Sequence, residues 1–165
     1  MIPTTLMASR TFASLLTTDA ALATQIAMLS SAAGLTVPAI TADQVVLSSA
    51  APDIGDKSIM LTYPRVCLYS STLRNTLAEK FKSLSGTVSV VTEIWASGNL
   101  VSDTDQWIHF YVEAVTSIYR GNTGDLGNGL YFPGTFDVQF QPPKPGGIGF
   151  SQSAKVICVL NVSQD

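Results

Sequence analysis

Residues 142–165 read PPKPGGIGFSQSAKVICVLNVSQD, a proline- and glycine-rich run leading into a long alternation. Ala154, Val156, Cys158, Leu160 and Val162 alternate with Ser153, Lys155, Ile157, Val159 and Asn161. A period of two is the signature of a β-strand. The two faces differ only partly in polarity. That suits a central strand with helices on one side and a neighbouring subunit on the other. The glycines open this strand rather than a helix, and no Gly-Lys-Ser/Thr follows, so a phosphate cradle is not expected. Gly146, Gly147 and Gly149 instead supply the positive φ of a hairpin loop, which the neighbouring prolines stiffen.

Working outward, TFDVQF at 135–140 reads as the strand that joins this loop from the other side, with Phe136, Val138 and Phe140 on one face. Pro133 and Gly134 mark a bend before it. NTGDLGNG, at 122–129, reads as a glycine-rich loop. DTDQWIHFYVEAVTSIYRG, at 103–121, predicts a helix with a stripe of Trp107, Tyr111, Ala114, Val115 and Ile118. Ser102 or Asp103 is its cap, Asp103 and Asp105 fill its first turn, and Gly121 stops it. TVSVVTEIWAS, at 87–97, predicts a strand with Val88, Val90, Thr92, Ile94 and Ala96 on one face.

The first half is less periodic. TFASLLTTDAALATQIAMLSSAAG, at 11–34, reads as helix with Leu15, Leu22, Ile26 and Leu29 on one face, and with Asp19 or Thr18 as a cap inside it, which would make a short turn and then a helix of about 13 residues stopped by Gly34. DQVVLSSA at 43–50 reads as a short strand, APDIGDKS at 51–58 as a turn, and Pro64–Tyr69 as a strand. Leu73, Leu77 and Phe81 are four apart, which suggests a two-turn helix ending at Gly86.

The composition narrows the function. The chain has 165 residues, 46% hydrophobic and 13% charged, with a net charge of −3. Its mean hydropathy is +0.30. This is apolar and poorly ionised for a solitary soluble domain, so the surplus is expected either in the core or in contacts with other subunits. No stretch of about 18 uninterrupted apolar residues is present, so no membrane span is expected. MIPTTLMASRTFASLL at the start has no basic segment followed by a long apolar run, so no signal peptide is expected either. Arg74, Lys80 and Lys82 form a small basic cluster, read as a solvated helix end, and no basic stripe for nucleic acid is visible.

Candidate chemistry is sparse. His109 is the lone histidine, with Asp105 four residues before it, but no serine sits in a nucleophile elbow. The acidic pairs Asp53/Asp56 and Asp103/Asp105 read as turn and cap residues, without the glycine and distal glutamate of a calcium loop. Cys67 and Cys158 read as buried small hydrophobes that could face each other across a sheet. Tyr131, Phe132, Phe136 and Phe140 read as core or interface packing, since base stacking would need basic companions. No catalytic residue, cofactor or metal site is expected, and the chain is read as a non-enzyme.

The order TVSVVTEIWASG, YVEAVTSIY, GTFDVQF, then GGIGFSQSAKVICVLNVS resembles the small tail-terminator and tail-completion proteins of tailed bacteriophages. The resemblance covers about residues 60–165, with residues 1–40 matching as an N-terminal helical segment. It implies a single α+β domain over residues 1–165, built as a twisted antiparallel sheet with helices on one face. It also implies a structural virion protein that forms a ring, a hexamer, capping the tail tube and joining it to the neck. The implied partners are further copies of the chain, the tail tube protein and the neck or connector protein, with the tail sheath a further candidate. Direct nucleic-acid recognition and a membrane are not implied. The implied location is the neck at the top of the tail, after assembly in the host cytoplasm. A head–tail connector or stopper is the alternative, and a small ligand-binding α+β domain a more distant one. Phe150, Val156 and Leu160 are expected to support the ring as strand positions. Asp125 and Lys144, with Gly146, Gly147 and Gly149, are expected loop contacts to neighbours.

Overall fold

The computed structural model describes residues 2–49 and 62–165. The turn expected at 51–58, with Asp53 and Asp56, lies outside the described residues. The fold is α+β. Helices α1 (Thr4–Thr17), α2 (Ala21–Ala33) and α3 (Val101–Arg120) pack on a mixed sheet of β1 (Val45–Leu47), β2 (Arg65–Asn75), β3 (Leu84–Gly98), β4 (Gly124–Gly127), β5 (Leu130–Phe132), β6 (Phe136–Phe140), β7 (Lys144–Gly146) and β8 (Gly149–Gln164). The spatial order is β1-β2-β3-β8, and the far edge of β8 carries β5, β6 and β7 in turn. Among the described residues, β1 runs parallel to β2 and every other pair is antiparallel.

The two long alternations make the floor of the molecule. β3 and β8 pair along their whole length, from Leu84 opposite Gln164 to Gly98 opposite Phe150. Val88, Val90, Thr92, Ile94 and Ala96 all point to the helices and are fully buried, as expected from the sequence. So are Ala154, Val156, Cys158 and Leu160 on β8. Each apolar side chain in these rows stabilises the fold at about 25 cal/mol per Å² of surface removed from water.

α3 covers them. Tyr111, Ala114 and Val115 of the expected stripe are sealed, while Trp107 and Ile118 sit at its margin. The buried set also includes Ile108, Val112 and Tyr119, so the true stripe is rotated from the expected one. The helix starts at Val101, not at a Ser102 or Asp103 cap, which moves Asp105 out of the first turn. Gly121 does end it, in a right-handed conformation (φ −76°), so this is not a left-handed glycine stop. Tyr119 meets Thr92 at 2.6 Å. Phe12 of α1 packs edge-on against Tyr119 and Phe132, at 4.7 and 5.4 Å between ring centres.

α2 has the expected 13 residues and stops at Gly34 in the left-handed conformation. The expected turn before it is real, since Asp19 and Ala20 both take positive φ. Helix α1, however, begins as early as Thr4. Together Thr4–Ala33 make 30 residues, long and apolar enough for a bilayer by length and composition alone, which the sequence reading did not expect. A left-handed break at Asp19 and Ala20 divides them, and Ala8, Phe12, Leu16, Leu22 and Ile26 are sealed in the core.

Two further expectations fail. Residues 71–83 are not a helix: β2 continues to Asn75, pairing with β3, and Leu77 and Phe81 take positive φ in the connection that follows. Phe81 is fully exposed, so its spacing from Leu77 marked no buried face. The basic cluster is therefore not a helix end. Arg74 lies on a strand, with Lys80 and Lys82 in the connection. The second failure is the 122–129 loop, which is largely strand β4, joined to β5 by Asn128 and Gly129 at φ 54° and 74°. Two successive positive φ angles are what a tight hairpin turn needs, and Asn-Gly is the pair that tolerates them.

Candidate assembly surface

The 142–149 segment folds back on the sheet. β7 and β8 form a hairpin whose central residues are Gly147, at φ 60°, and Ile148. Glycine first and a negative-φ residue second is the pattern of a two-residue hairpin turn. Gly147 sits on Ser97 of β3, where a Cβ would come within 2.1 Å of the hydroxyl oxygen. That hydroxyl donates to the Phe150 carbonyl at 3.0 Å and accepts from the Ile148 N–H at 3.0 Å. Lys144 places its ammonium 5.0 Å from the centre of the Trp95 ring. Ile148 at the tip is 67% exposed.

This loop closes one end of the sheet face that the helices leave open. Glu93, Trp95, Ser97, Ser151 and Ser153 point to that face, yet each is buried. Glu93, Trp95, Ser151 and Ser153 line a cleft of about 420 Å³ with Lys144, Lys155 and residues 141–143. The Trp95 indole N–H and the Ser151 hydroxyl are buried without a hydrogen-bond partner among the described residues. Tyr69 donates to Glu93 at 3.3 Å. Burial, and then the Glu93 charge, push the Tyr69 phenol up from its ordinary value. Further along β8 the same face opens: Ile157 is half-buried, and Val159 and Asn161 are exposed. β8 is thus covered on both faces at one end and on one face at the other.

The expected contact residues divide accordingly. Asp125 is exposed on β4, where its carboxylate accepts from the Gly127 N–H at 2.8 Å. Lys144, Gly146, Gly147 and Gly149 belong to the hairpin, and Phe150 is half-buried beside it. Val156 and Leu160 are fully buried under the helices, so they hold β8 from inside and touch no neighbour. Of the aromatic residues read as core or interface packing, Tyr131 and Phe140 are 50% and 46% exposed, while Phe132 is buried; the surface position that reasoning from sequence missed is Val159, 39% exposed.

The residues that could carry chemistry are dispersed. His109 is exposed and stacks on Phe140 at 4.8 Å, while Asp105 accepts from Gln152 at 3.1 Å. The cysteines do not face each other: Cys67 pairs with Glu93 and Cys158 with Val90, which places them on opposite faces of the sheet. Burial pushes the Cys158 thiol up to about 12, and also raises Cys67, where Arg65 pulls part of the way back. Neither thiol is ionised near neutrality, so neither is a ready nucleophile. Among the described residues, no group of three or more His, Cys, Asp or Glu side chains could hold a metal.

Two sheet edges are open. Among the described residues, β6 pairs only with β8, and β2 beyond Ser70 pairs only with β3, because β1 covers just Val66 to Leu68. An unpaired edge presents free backbone donors and acceptors. No protein-family model matches the chain, and no curated protein matches it.

Proposed function

We propose that the chain is a structural subunit of a tailed-phage virion, a tail terminator whose copies close into a ring that caps the tail tube and receives the neck. The observation that carries this reading is the pair of open sheet edges on opposite sides of one sheet. Among the described residues no strand of the same copy covers them, and copies set side by side would satisfy them. Repeated head-to-tail contacts close into a ring when their rotation closes. The half-exposed apolar side chains Leu73, Tyr131, Phe140, Ile148 and Val159 fit contact with other subunits. The sequence resemblance supplies the tail-terminator station, six copies, and the tube and neck as partners.

The function needs no reactive group. Its mechanism is geometric: two ring faces present different surfaces, one ending tube growth and the other seating the neck. The test is to produce particles without this chain and measure their tails by electron microscopy. Tails of uncontrolled length support the terminator reading. Tails of normal length beside unjoined heads would place the chain at the connector instead.

A further inference from the structure

The ring reading leaves the contact between copies unassigned, and the two open edges have side chains that match. Arg74, Leu73 and Thr72 stand on the open stretch of β2; Asp137, Val138 and Gln139 stand on β6. Their faces follow from the register. Leu73 lies opposite Val88, which faces the helices, so Arg74 and Thr72 point the other way. Val138 lies opposite Val156, which also faces the helices, so Asp137 and Gln139 point away from them. Leu73 is 46% exposed, a large apolar side chain only partly covered. Arg74 and Asp137 are exposed, and no ion pair within the subunit involves either side chain among the described residues.

We propose that β6 of one copy adds antiparallel to residues 72–74 of β2 in the next copy, with Asp137 opposite Arg74, Val138 opposite Leu73 and Gln139 opposite Thr72. One register satisfies all three pairs, because an antiparallel pair keeps the sum of residue numbers constant and successive side chains alternate faces. The opposite charges meet on the open face, the apolar pair meets on the helix face, and the third pair joins amide to hydroxyl. A slip by one residue would set Asp137 against a side chain of the other face. The pairing uses unlike edges, so each copy keeps one of each free for the next, and the sheet runs on from subunit to subunit. A second copy of the chain is the occupant these charges and faces select.

This pairing rests on the ring reading, and the test separates the two. Asp137→Cys and Arg74→Cys are introduced together and singly, and the full chain is oxidised at concentrations where light scattering reports association. The expected result is a ladder of disulfide-linked species from the double variant, ending at one closed size, with no ladder from either single variant. Separately, Arg74→Asp or Asp137→Arg weakens association by about tenfold or more, and combining them restores it. Association without linkage, and without any effect of the charge reversals, overturns the pairing and leaves the ring. Linked dimers from a single variant show like edges meeting and overturn it too. A chain that stays monomeric at all concentrations and on tail tubes overturns both.

Discussion

Gly147 lies on Ser97, and the contact leaves no room for a side chain: a Cβ there would meet the Ser97 hydroxyl oxygen at 2.1 Å. The β7–β8 turn is therefore seated on the central strand β3, not held out in solvent. Gly147→Ala should lower stability by about 1–3 kcal/mol, from the left-handed conformation and the clash together. Urea unfolding of the variant measures it. An unchanged midpoint would mean that the turn does not rest on Ser97.

The Lys144 ammonium over Trp95 fastens the other side of the same loop. Lys144→Ala should cost about 0.5–1 kcal/mol at such a site and change the emission of Trp95, with the Trp107 contribution fixed by a Trp107→Phe background. Emission identical to that of the parent would show that the lysine does not sit on the ring.

Thr92 and Tyr119 form a buried pair at 2.6 Å that ties α3 to β3. Tyr119→Phe leaves Thr92 without this partner, and about 1–3 kcal/mol should be lost. Adding Thr92→Val, which removes the stranded hydroxyl, should recover most of that loss. Strictly additive losses in this double-mutant cycle would argue against the bond.

Alkali should destabilise the protein earlier than its surface charges suggest. Cys158, Tyr111 and Tyr119 all have folded-state values raised by burial above their ordinary 9.0 and 10.0. The raised values mean that the folded state keeps protons the unfolded chain releases. Their contribution is whole below pH 9 and falls away as the pH rises from 9 toward 12, the folded value of Cys158. Denaturation midpoints should be flat from neutrality to about pH 8.5 and fall beyond. Both cysteines should also resist a thiol reagent at pH 8 until the chain is unfolded; rapid labelling of native protein would contradict their burial.

Strands β3 and β8 and helix α3 were legible because their periodicity is long and unbroken, with Val88 to Ala96 and Ala154 to Val162 repeating every second residue. Residues 71–83 misled because Leu73, Leu77 and Phe81 imitate a helical spacing. What holds Thr72–Asn75 extended is pairing with Gly86–Ser89 across the hairpin, which no local pattern announces. The Asn128–Gly129 turn, by contrast, was written locally, and the neighbouring glycines masked it as a plain loop. For the candidate surface, alternation revealed that β8 has two faces but not which one the helices would take. Val156 and Leu160 were accordingly expected to support a ring and lie in the core, while Val159 beside them is exposed. Whether a strand lies at an edge depends on what pairs with it, so the open sides of β2 and β6 were invisible in their own residues.

The most direct test of the central claim is electron microscopy of the purified chain mixed with purified tail tubes. The account predicts a ring of this protein at one end of each tube, which then no longer elongates. Bare, growing tube ends beside a chain that remains a single copy would contradict it.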